Sequence, residues 1–396
     1  MDTRFPHSEP RALGFSPERL QRIKTALDAE IATGTLPGAV LAIARDGKLA
    51  YFESFGHLDP ATRAPMSKDA IFSIASMTKP LVSVGALMLC EEGRLMANEP
   101  VAKYLPQLGR MQVAQCDGAA TVAPSRAMTL EDLMRHTAGV SYGRGNTPLH
   151  ARYPISSDSA ASKWTGREFL EQLAALPLHY PPGASWEYSL GFDVLGLVIE
   201  AVTGASLARY LEERLFAPLA MRDTSFAVPP EKVSRYAKAL PNDPLTREPQ
   251  SLRDGTKPHK FDCGGGCAVS TASDYLRFAQ MLLEGGTLQG VRILGRKTVE
   301  YMTSDHIGPE IDTTRLREYP NINGYGFGLG VAVRRGAGLG GMPSTAGEFH
   351  WAGSTGTYFW VDPAERLVVV FMAHAPGAIR YYHRQLLHAL VLQALE

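Results

Sequence analysis

Residues 73–89 read Ser-Ile-Ala-Ser-Met-Thr-Lys-Pro-Leu-Val-Ser-Val-Gly-Ala-Leu-Met-Leu, a short polar stretch followed by an almost entirely apolar one. The apolar part predicts a buried helix, because a helix that is hydrophobic on every side is normally covered by other elements. Pro80 is tolerated only near the first turn, so the helix is expected to begin close to Ser76. Ser76 and Lys79 are three residues apart, which places two helical side chains on one face, about 5–6 Å apart at Cβ.

This pair has the chemistry of an activated nucleophile. A serine hydroxyl attacks an acyl group poorly until a base removes its proton. A lysine amine serves as that base only when it is uncharged, and burial at the start of an apolar helix lowers its pKa towards that state. The same helix start offers free backbone N–H groups to a developing oxyanion. Because Ser-x-x-Lys also occurs by chance as a surface pair, the pattern needs support from the rest of the chain.

The composition excludes several classes of protein. The 396 residues are 45% hydrophobic, enough for one large domain or two closely packed ones. Forty basic and forty acidic residues leave no net charge, so nothing indicates a nucleic-acid partner. The N-terminus lacks the apolar run of a signal peptide, and no apolar stretch reaches bilayer-spanning length. We therefore expect a cytoplasmic protein without a membrane partner, of undetermined oligomeric state.

The two ends of the chain carry strand signals. Asp46-Gly47 separates the apolar runs 39–44 and 49–52, which predicts a β-hairpin. Near the other end, Tyr325–Val333, Glu348–Trp351, Thr357–Val361 and Leu367–Met372 are predicted strands, and 378–395 is a predicted closing helix. A further predicted helix precedes the hairpin and begins with Ser16 as cap and Pro17 at its first position. We infer one antiparallel sheet shared by both ends.

The middle of the chain is predominantly helical in pattern. Helical periodicity is found in residues 76–93, 129–136, 165–176, 190–203, 206–216, 272–285 and 295–303. The predicted fold class is therefore α/β (α+β): an antiparallel sheet flanked by helices, with an inserted, mostly helical domain. Residues 1–65 and 305–396 form the predicted sheet domain, and residues 66–304 form the predicted helical region. Part of 225–304 could pack with the sheet domain instead.

Several ordered segments resemble serine β-lactamases and penicillin-binding proteins, and most of all class C β-lactamases and the family VIII carboxylesterases. The resemblance covers roughly residues 15–390 and begins with the Ser76–Lys79 motif. The other matching segments are Leu133–Gly139, Pro181–Ser189, Gly264–Asp274 and His350–Gly353. The resemblance implies a β-lactamase-like fold and acyl transfer through an acyl-Ser76 intermediate.

The resemblance also assigns roles to individual residues. Lys79 and Tyr188 would share the base and acid work, with Tyr188 as phenolate or proton relay. The backbone N–H groups of Ser76 and Ser354 would form the oxyanion hole. His136 is expected to be a hydrogen-bonded structural histidine rather than a catalytic one. No cofactor and no metal are required, because the Ser-Lys-Tyr set is sufficient for acyl transfer.

Two departures from the family pattern indicate the substrate. Leu190 stands where the second motif of β-lactamases has Asn, and Trp351 stands where the third motif has a Lys that helps to bind the substrate carboxylate. Both resemble the family VIII esterases and favour ester hydrolysis over β-lactam turnover. The expected substrate is a small-molecule ester of small to medium acyl length. The residues expected to line its pocket are Tyr142, Trp186, Trp351 and Gly353, with Phe327 as a further candidate.

Other interpretations remain open. Gly139-Val140-Ser141-Tyr142-Gly143 fits the Gly-x-Ser-x-Gly elbow of α/β-hydrolases, although that motif needs a preceding strand and a helix is predicted there. A β-lactamase, an amidase, a peptidase or an acyltransferase would use the same acyl-enzyme. A non-enzymatic scaffold or penicillin-recognising protein is the third possibility, which the retention of Ser76, Lys79 and Tyr188 disfavours.

The cysteines are few for a chain of this length. Cys90, Cys116, Cys263 and Cys267 are expected to be reduced thiols. A metal site at Cys263 and Cys267 would need more ligands, and only His259 and Asp262 lie nearby in the sequence.

Overall fold

In a computed structural model, which describes residues 5–115, 120–250, 252–319 and 322–396, the hairpin at Asp46-Gly47 joins two neighbouring strands of the main sheet. Asp46 and Gly47 both adopt positive φ, as a tight hairpin turn of this kind requires. The strands are β1 Gly38–Arg45, β2 Lys48–Asp59, β3 Ala64–Pro65, β4 Phe72–Ser73, β5 Val113–Gln115, β6 Ala120–Val122, β7 Val269–Ser270, β8 Thr287–Leu288, β9 Val291–Arg292, β10 Tyr325–Phe327, β11 Ala332–Arg334, β12 Phe349–Ala352, β13 Tyr358–Asp362 and β14 Leu367–Ala373.

The main sheet joins the two ends of the chain, as the sequence predicted. Within the described ranges, eight strands form this sheet in the order β10-β11-β12-β13-β14-β1-β2-β3. The pairing of β1 with β14 is antiparallel and brings Ala39 opposite Ala373 and Arg45 opposite Leu367. The predicted antiparallel sheet, and with it the fold class, is confirmed.

Helices cover both faces of the sheet. They are α1 Pro17–Ala32, α2 Thr78–Glu91, α3 Leu130–Met134, α4 Ser157–Lys163, α5 Gly166–Ala174, α6 Gly191–Thr203, α7 Leu207–Leu211, α8 Ala272–Leu283, α9 Arg296–Met302, α10 Thr314–Glu318 and α11 Ile379–Leu392. The first helix begins as predicted, since the Ser16 side chain accepts a hydrogen bond from the Arg19 N–H and Pro17 is the first helical residue.

Strand β1 is buried on both faces, because alternate side chains enter two different cores. Leu41 and Ile43 pack with α1 and α11. Val40 and Ala42 belong to the larger core on the opposite face, which includes α2, α6 and α8. Helix α8 packs directly on β1, β13 and β14, so part of the central region does contact the sheet. The division at residues 66 and 304 stays a prediction.

One predicted strand was wrong. The segment Tyr325–Val333 forms two antiparallel strands, β10 and β11, rather than one. The chain reverses between Gly328 and Val331, where the Gly328 N–H donates to the Val331 carbonyl at 2.8 Å. Gly330 adopts a φ of 90° in this turn, a conformation that glycine tolerates best.

None of the described helices, taken singly, is both long and apolar enough to cross a membrane. The pair Gly191–Thr203 and Leu207–Phe216 meets the criteria only when it is taken together across a bend of 78°.

The double burial of β1 predicts a large cost for truncating it. Leu41→Ala removes a fully buried side chain from an interior strand of the sheet, and we expect the free energy of unfolding to fall by about 2–5 kcal/mol. Urea denaturation followed by circular dichroism measures this change. Lys48→Ala, an exposed change in the same hairpin, should stay within about 0.5 kcal/mol of the parent. Equal effects of the two changes would contradict the two-core packing.

Candidate active site

The turn before α2 presents Ser76. Strand β4 leads into a 3-10 turn, Ala75–Met77, and from there into α2. Ala75 has a φ of 45°, a left-handed conformation that a residue with a side chain adopts at a cost. Such backbone strain persists where the surrounding structure enforces it, and it is concentrated at functional sites.

The end of β12 and the turn after it enforce that geometry. Thr355 Oγ1 donates to the Ser73 carbonyl at 2.6 Å, and Thr357 Oγ1 donates to the Ile74 carbonyl at 3.2 Å. A Cβ added to Gly353 would lie 2.5 Å from the Ile74 carbonyl oxygen. Glycine is therefore required at 353, because the sheet and the Ser76 turn approach each other too closely for a side chain.

Two backbone N–H groups are available for an oxyanion. The first backbone N–H groups that donate within the 3-10 turn are those of Met77, which donates to the Ile74 carbonyl, and of Thr78. The Ser76 N–H therefore precedes the first internal hydrogen bond of the turn. On the sheet side, Gly353 and Gly356 make the hydrogen bonds of the turn that contains Ser354. Ser76 and Ser354 line the same cavity. The assignment of their N–H groups to an oxyanion hole stays a prediction.

Lys79 is fully buried directly behind Ser76. Its Nζ lies 3.2 Å from Ser76 Oγ, 3.4 Å from the Tyr142 hydroxyl and 2.6 Å from the Gly265 carbonyl oxygen. Burial lowers the pKa of Lys79 to about 7, against a smaller raising effect from the carboxylate of Asp193. An appreciable fraction of the amine is thus uncharged at neutral pH, as a base for Ser76 requires.

Tyr188 covers the other side of Lys79. The Lys79 Nζ lies 4.5 Å from the centre of the Tyr188 ring, and Trp351 Nε1 donates to the phenol oxygen at 3.4 Å. Burial raises the pKa of Tyr188 above its ordinary value, although hydrogen bonds with Ser76 and Trp351 oppose the shift. Of the two predicted roles, phenolate and proton relay, the raised pKa favours the relay.

The cavity in front of Ser76 has about 1030 Å³ of empty space, including its open mouth. Three of the predicted pocket residues, Tyr142, Trp351 and Gly353, line it. Trp186, also a predicted pocket residue, does not line this cavity but borders a neighbouring one, which Tyr142 and Tyr188 line as well. The fully buried Phe327 ring packs against Trp351, with the ring centres 5.2 Å apart.

Sequence reasoning missed the charged part of the cavity wall. Arg144, Arg380 and Arg384 line the cavity together with Asp158. The cavity is therefore less apolar than Trp351 alone suggested. The two arginines of α11 are distant from Ser76 in the sequence, and no motif drew attention to them.

Two buried groups beside Lys79 were also missed. Gly265 lies in the Gly-rich segment that resembles the family, but the sequence predicted no role for its carbonyl. Asp193 is fully buried in the first turn of α6. The sequence did contain a signal for Asp193, because it is an aspartate within the predicted apolar helix 190–203. A carboxylate is rarely buried without a partner.

His136 and Ser141 have environments that match structural roles. His136 Nδ1 accepts a hydrogen bond from the Ser189 N–H at 3.3 Å, and its ring packs on Tyr188 with ring centres 4.6 Å apart. Ser141 is buried and donates to the carboxylate of Glu187. The helix α3 precedes Ser141 where a nucleophile elbow needs a strand.

The cysteine prediction was wrong for one pair. Cys263 and Cys267 form a disulfide across the glycine loop, with 5.3 Å between their Cα atoms. The sequence argument relied on the small number of cysteines, which says nothing about two that a tight turn brings together. Cys90 is a free thiol, whereas Cys116 lies outside the described residues.

Two groups of side chains have the composition of a metal site in the described part of the chain. In the first, His259 is joined by Cys263 and Cys267, whose sulfurs are already bonded to each other. The second consists of His150, His179 and Glu187. Neither group lines the cavity in front of Ser76.

A serine beside a buried lysine and tyrosine, next to the end of β12, defines a serine hydrolase of the β-lactamase-like class. The profile of the Beta-lactamase family matches residues 23–392, and the chain belongs to that family.

Named relatives include hydrolases and acyltransferases. Esterase EstB of Burkholderia gladioli is 30% identical over 380 residues, covering 89% of this chain and 90% of that protein. The acyltransferase mokF of Monascus pilosus is 30% identical over 370 residues, covering 86% of each. The solved structure of EstCE1, a hydrolase with promiscuous acyltransferase activity, has a TM-score of 0.78 at 26% identity, covering 96% of this chain and 98% of that one.

The lowered pKa of Lys79 predicts how the reactivity of Ser76 depends on pH. With the uncharged amine as the expected base, labelling of Ser76 by a fluorophosphonate should accelerate as pH rises, with a midpoint near the Lys79 pKa of about 7. Mass spectrometry of the labelled peptide at a series of pH values measures the rate. Lys79→Arg keeps a cation at every accessible pH and should label slowly throughout. A profile independent of pH between 5 and 9 would contradict this assignment.

Proposed function

We propose that this protein is a serine carboxylesterase of the family VIII type, hydrolysing small to medium acyl esters through an acyl-Ser76 intermediate. The observation that carries the proposal is the contact between Ser76 Oγ and the fully buried Lys79 Nζ at 3.2 Å. Relatives that include an esterase support the same reaction class.

Each step has a group in place. Uncharged Lys79 accepts the proton of Ser76 as its oxygen attacks the ester carbonyl. The N–H groups of Ser76 and Ser354 stabilise the negative oxygen that develops; losing one such donor costs about 3–4 kcal/mol in comparable enzymes. Tyr188 passes a proton to the departing alcohol. Water then replaces the alcohol, and the same groups act in the reverse order to release the acid.

The third motif supports an ester over a β-lactam as substrate. Trp351 occupies the strand position at which β-lactamases carry a lysine, and its indole N–H is directed to the Tyr188 oxygen. Trp351, Tyr142 and Tyr319 contribute aromatic surface to the cavity. Such a wall suits apolar acyl or aryl groups, which we propose as the acyl part of the substrate.

A matched pair of serine variants tests the nucleophile. Ser76→Ala should lower kcat/KM for p-nitrophenyl acetate, butyrate and octanoate by at least about 10³-fold, because the attacking oxygen is lost. Ser141→Ala, which removes another buried hydroxyl near the cavity, should keep most of the activity. Steady-state assays, run with nitrocefin in parallel, measure both. Loss of activity in Ser141→Ala alone would restore the nucleophile-elbow interpretation.

The nitrocefin assay separates esterase from β-lactamase. We expect ester turnover that depends on Ser76 together with slow nitrocefin hydrolysis, since the lysine of the third motif is replaced. Nitrocefin turnover as fast as that of the best ester would assign the protein to the β-lactamases instead.

Acyl transfer is the second candidate function, favoured by the named acyltransferase relative and by the EstCE1 structure. Both reactions share the acyl-enzyme and differ only in the acceptor. With p-nitrophenyl butyrate and increasing concentrations of a primary alcohol, an acyltransferase yields the butyrate ester at the expense of butyric acid. Gas chromatography of both products gives the ratio. Formation of acid alone at every alcohol concentration would leave hydrolysis as the function.

A further inference from the structure

Asp193 is a fully buried carboxylate that the mechanism above does not use. It lies in the first turn of α6, where a carboxylate is favourable for the helix. Its oxygens, however, are bound to groups from other segments. Oδ2 accepts from Ser157 Oγ at 2.7 Å, and Oδ1 accepts from the Gly265 N–H at 2.9 Å. The side chain is therefore directed towards the site rather than towards its own helix.

A continuous series of hydrogen bonds joins Lys79 to Asp193. Lys79 Nζ lies 3.4 Å from the Tyr142 hydroxyl, which lies 2.9 Å from Ser157 Oγ. Ser157 in turn donates to Asp193 at 2.7 Å. All four side chains are buried. Ser157 has one hydroxyl hydrogen and donates it to Asp193, so Tyr142 is the donor to Ser157. Lys79 donates to Tyr142, and the donors along the series therefore have one direction.

The Gly265 peptide gives a second connection between the same two residues. Its carbonyl accepts from Lys79 Nζ at 2.6 Å, and its N–H donates to Asp193 at 2.9 Å. This peptide lies inside the loop closed by the Cys263–Cys267 disulfide. Lys79 and Asp193 are thus held at a fixed separation by two independent routes.

We infer that Asp193 is the positioning and charge partner of Lys79, and that Tyr142 and Ser157 connect the two as one buried proton path. The inference rests on the proposed function and extends it. It explains why an aspartate lies within an otherwise apolar helix. It also gives the proton of Ser76 a destination beyond Lys79.

The proton transfer balances without any additional reactant. When Lys79 has taken the Ser76 proton, its ammonium gives one proton to the Tyr142 oxygen while Tyr142 gives its own to Ser157. Ser157 gives its own proton to Asp193 Oδ2. Lys79 ends as a neutral amine, Asp193 as a neutral acid, and both hydroxyls are restored. Reversal of the same transfers returns the proton when it is needed for the leaving group.

Other charged and titratable groups face this pair from several elements. Arg144 lowers the pKa of Lys79, and Asp158 on α4 raises that of Asp193. His136 is kept neutral, because burial and the charge of Lys79 both lower its pKa. Burial raises the pKa of Asp193 to about 6, whereas the Lys79 charge opposes that shift. Two buried groups so coupled titrate as a pair in the neutral range.

Asp193→Asn tests the charge. The amide keeps the size and one acceptor but can neither carry a negative charge nor take the proton. Without that charge the pKa of Lys79 falls. The acid limb of the pH profile of kcat/KM should therefore move to lower pH by about one unit. We expect kcat to fall by about tenfold or more, because the path has lost its end. Ester hydrolysis from pH 5 to 9 measures both.

Ser157→Ala and Tyr142→Phe test the path itself, and remain informative if Asp193→Asn folds poorly. Each breaks one link while the Asp193 carboxylate stays in place. We expect several-fold losses in kcat, with an acid limb that stays within about half a pH unit of the parent. A normal thermal melting temperature in these variants shows that the loss is not one of folding.

Asp274→Asn is the matched control. Asp274 is also a buried aspartate, which accepts hydrogen bonds from Thr224 and from the backbone of Asp223 outside the Ser76 cavity. The control should leave the acid limb in place. The inference is overturned if Asp193→Asn keeps both kcat within twofold and the same acid limb, or if Asp274→Asn shifts that limb equally.

Failure of the inference is distinguishable from failure of the proposed function. If Ser76→Ala keeps ester hydrolysis, the nucleophile is wrong and the function fails. If hydrolysis requires Ser76 but is unaffected by Asp193→Asn, Ser157→Ala and Tyr142→Phe, only the partner assignment fails. Fluorophosphonate labelling of Ser76 in each variant reports the nucleophile separately from turnover.

Discussion

The burial of the Lys79 amine is the constraint on which the site depends. A charged ammonium is costly in an apolar core, and this cost is what brings its pKa down to about 7. The same amine needs hydrogen-bond acceptors, and the Gly265 carbonyl and the Tyr142 and Ser76 hydroxyls provide them. The core around α2 therefore both lowers the pKa of the amine and holds the amine in contact with Ser76.

The sheet contributes rigidity to this arrangement. Gly353 at the end of β12 allows the strand to approach the Ile74 carbonyl, and two threonine hydroxyls fix the carbonyls of Ser73 and Ile74. The left-handed Ala75 is thereby held in place directly before Ser76. Sheet and helix meet at this point, so Ser76 and Ser354, which line the same cavity, come from elements that are far apart in the chain.

Local sequence signals predicted much of the architecture. The Asp46-Gly47 hairpin, the Ser16-Pro17 helix start and the central helices follow from turn chemistry and periodicity, which depend on near neighbours. The strand proposed for Tyr325–Val333 failed, because one positive-φ glycine turns a continuous apolar run into two strands. The Cys263–Cys267 disulfide was missed because a cysteine count does not show which thiols a turn brings together.

The sequence by itself determined the fold class and the adjacency of Ser76 and Lys79, because a three-residue spacing at a helix start leaves little freedom. Which tyrosine approaches them, and from which side, came from family resemblance and not from the residues. Only the tertiary structure placed Asp193, Ser157, Tyr142 and Gly265 around the amine. Their separations along the chain are long, and the distances of 2.6–3.4 Å between them are set by packing, which no periodicity encodes.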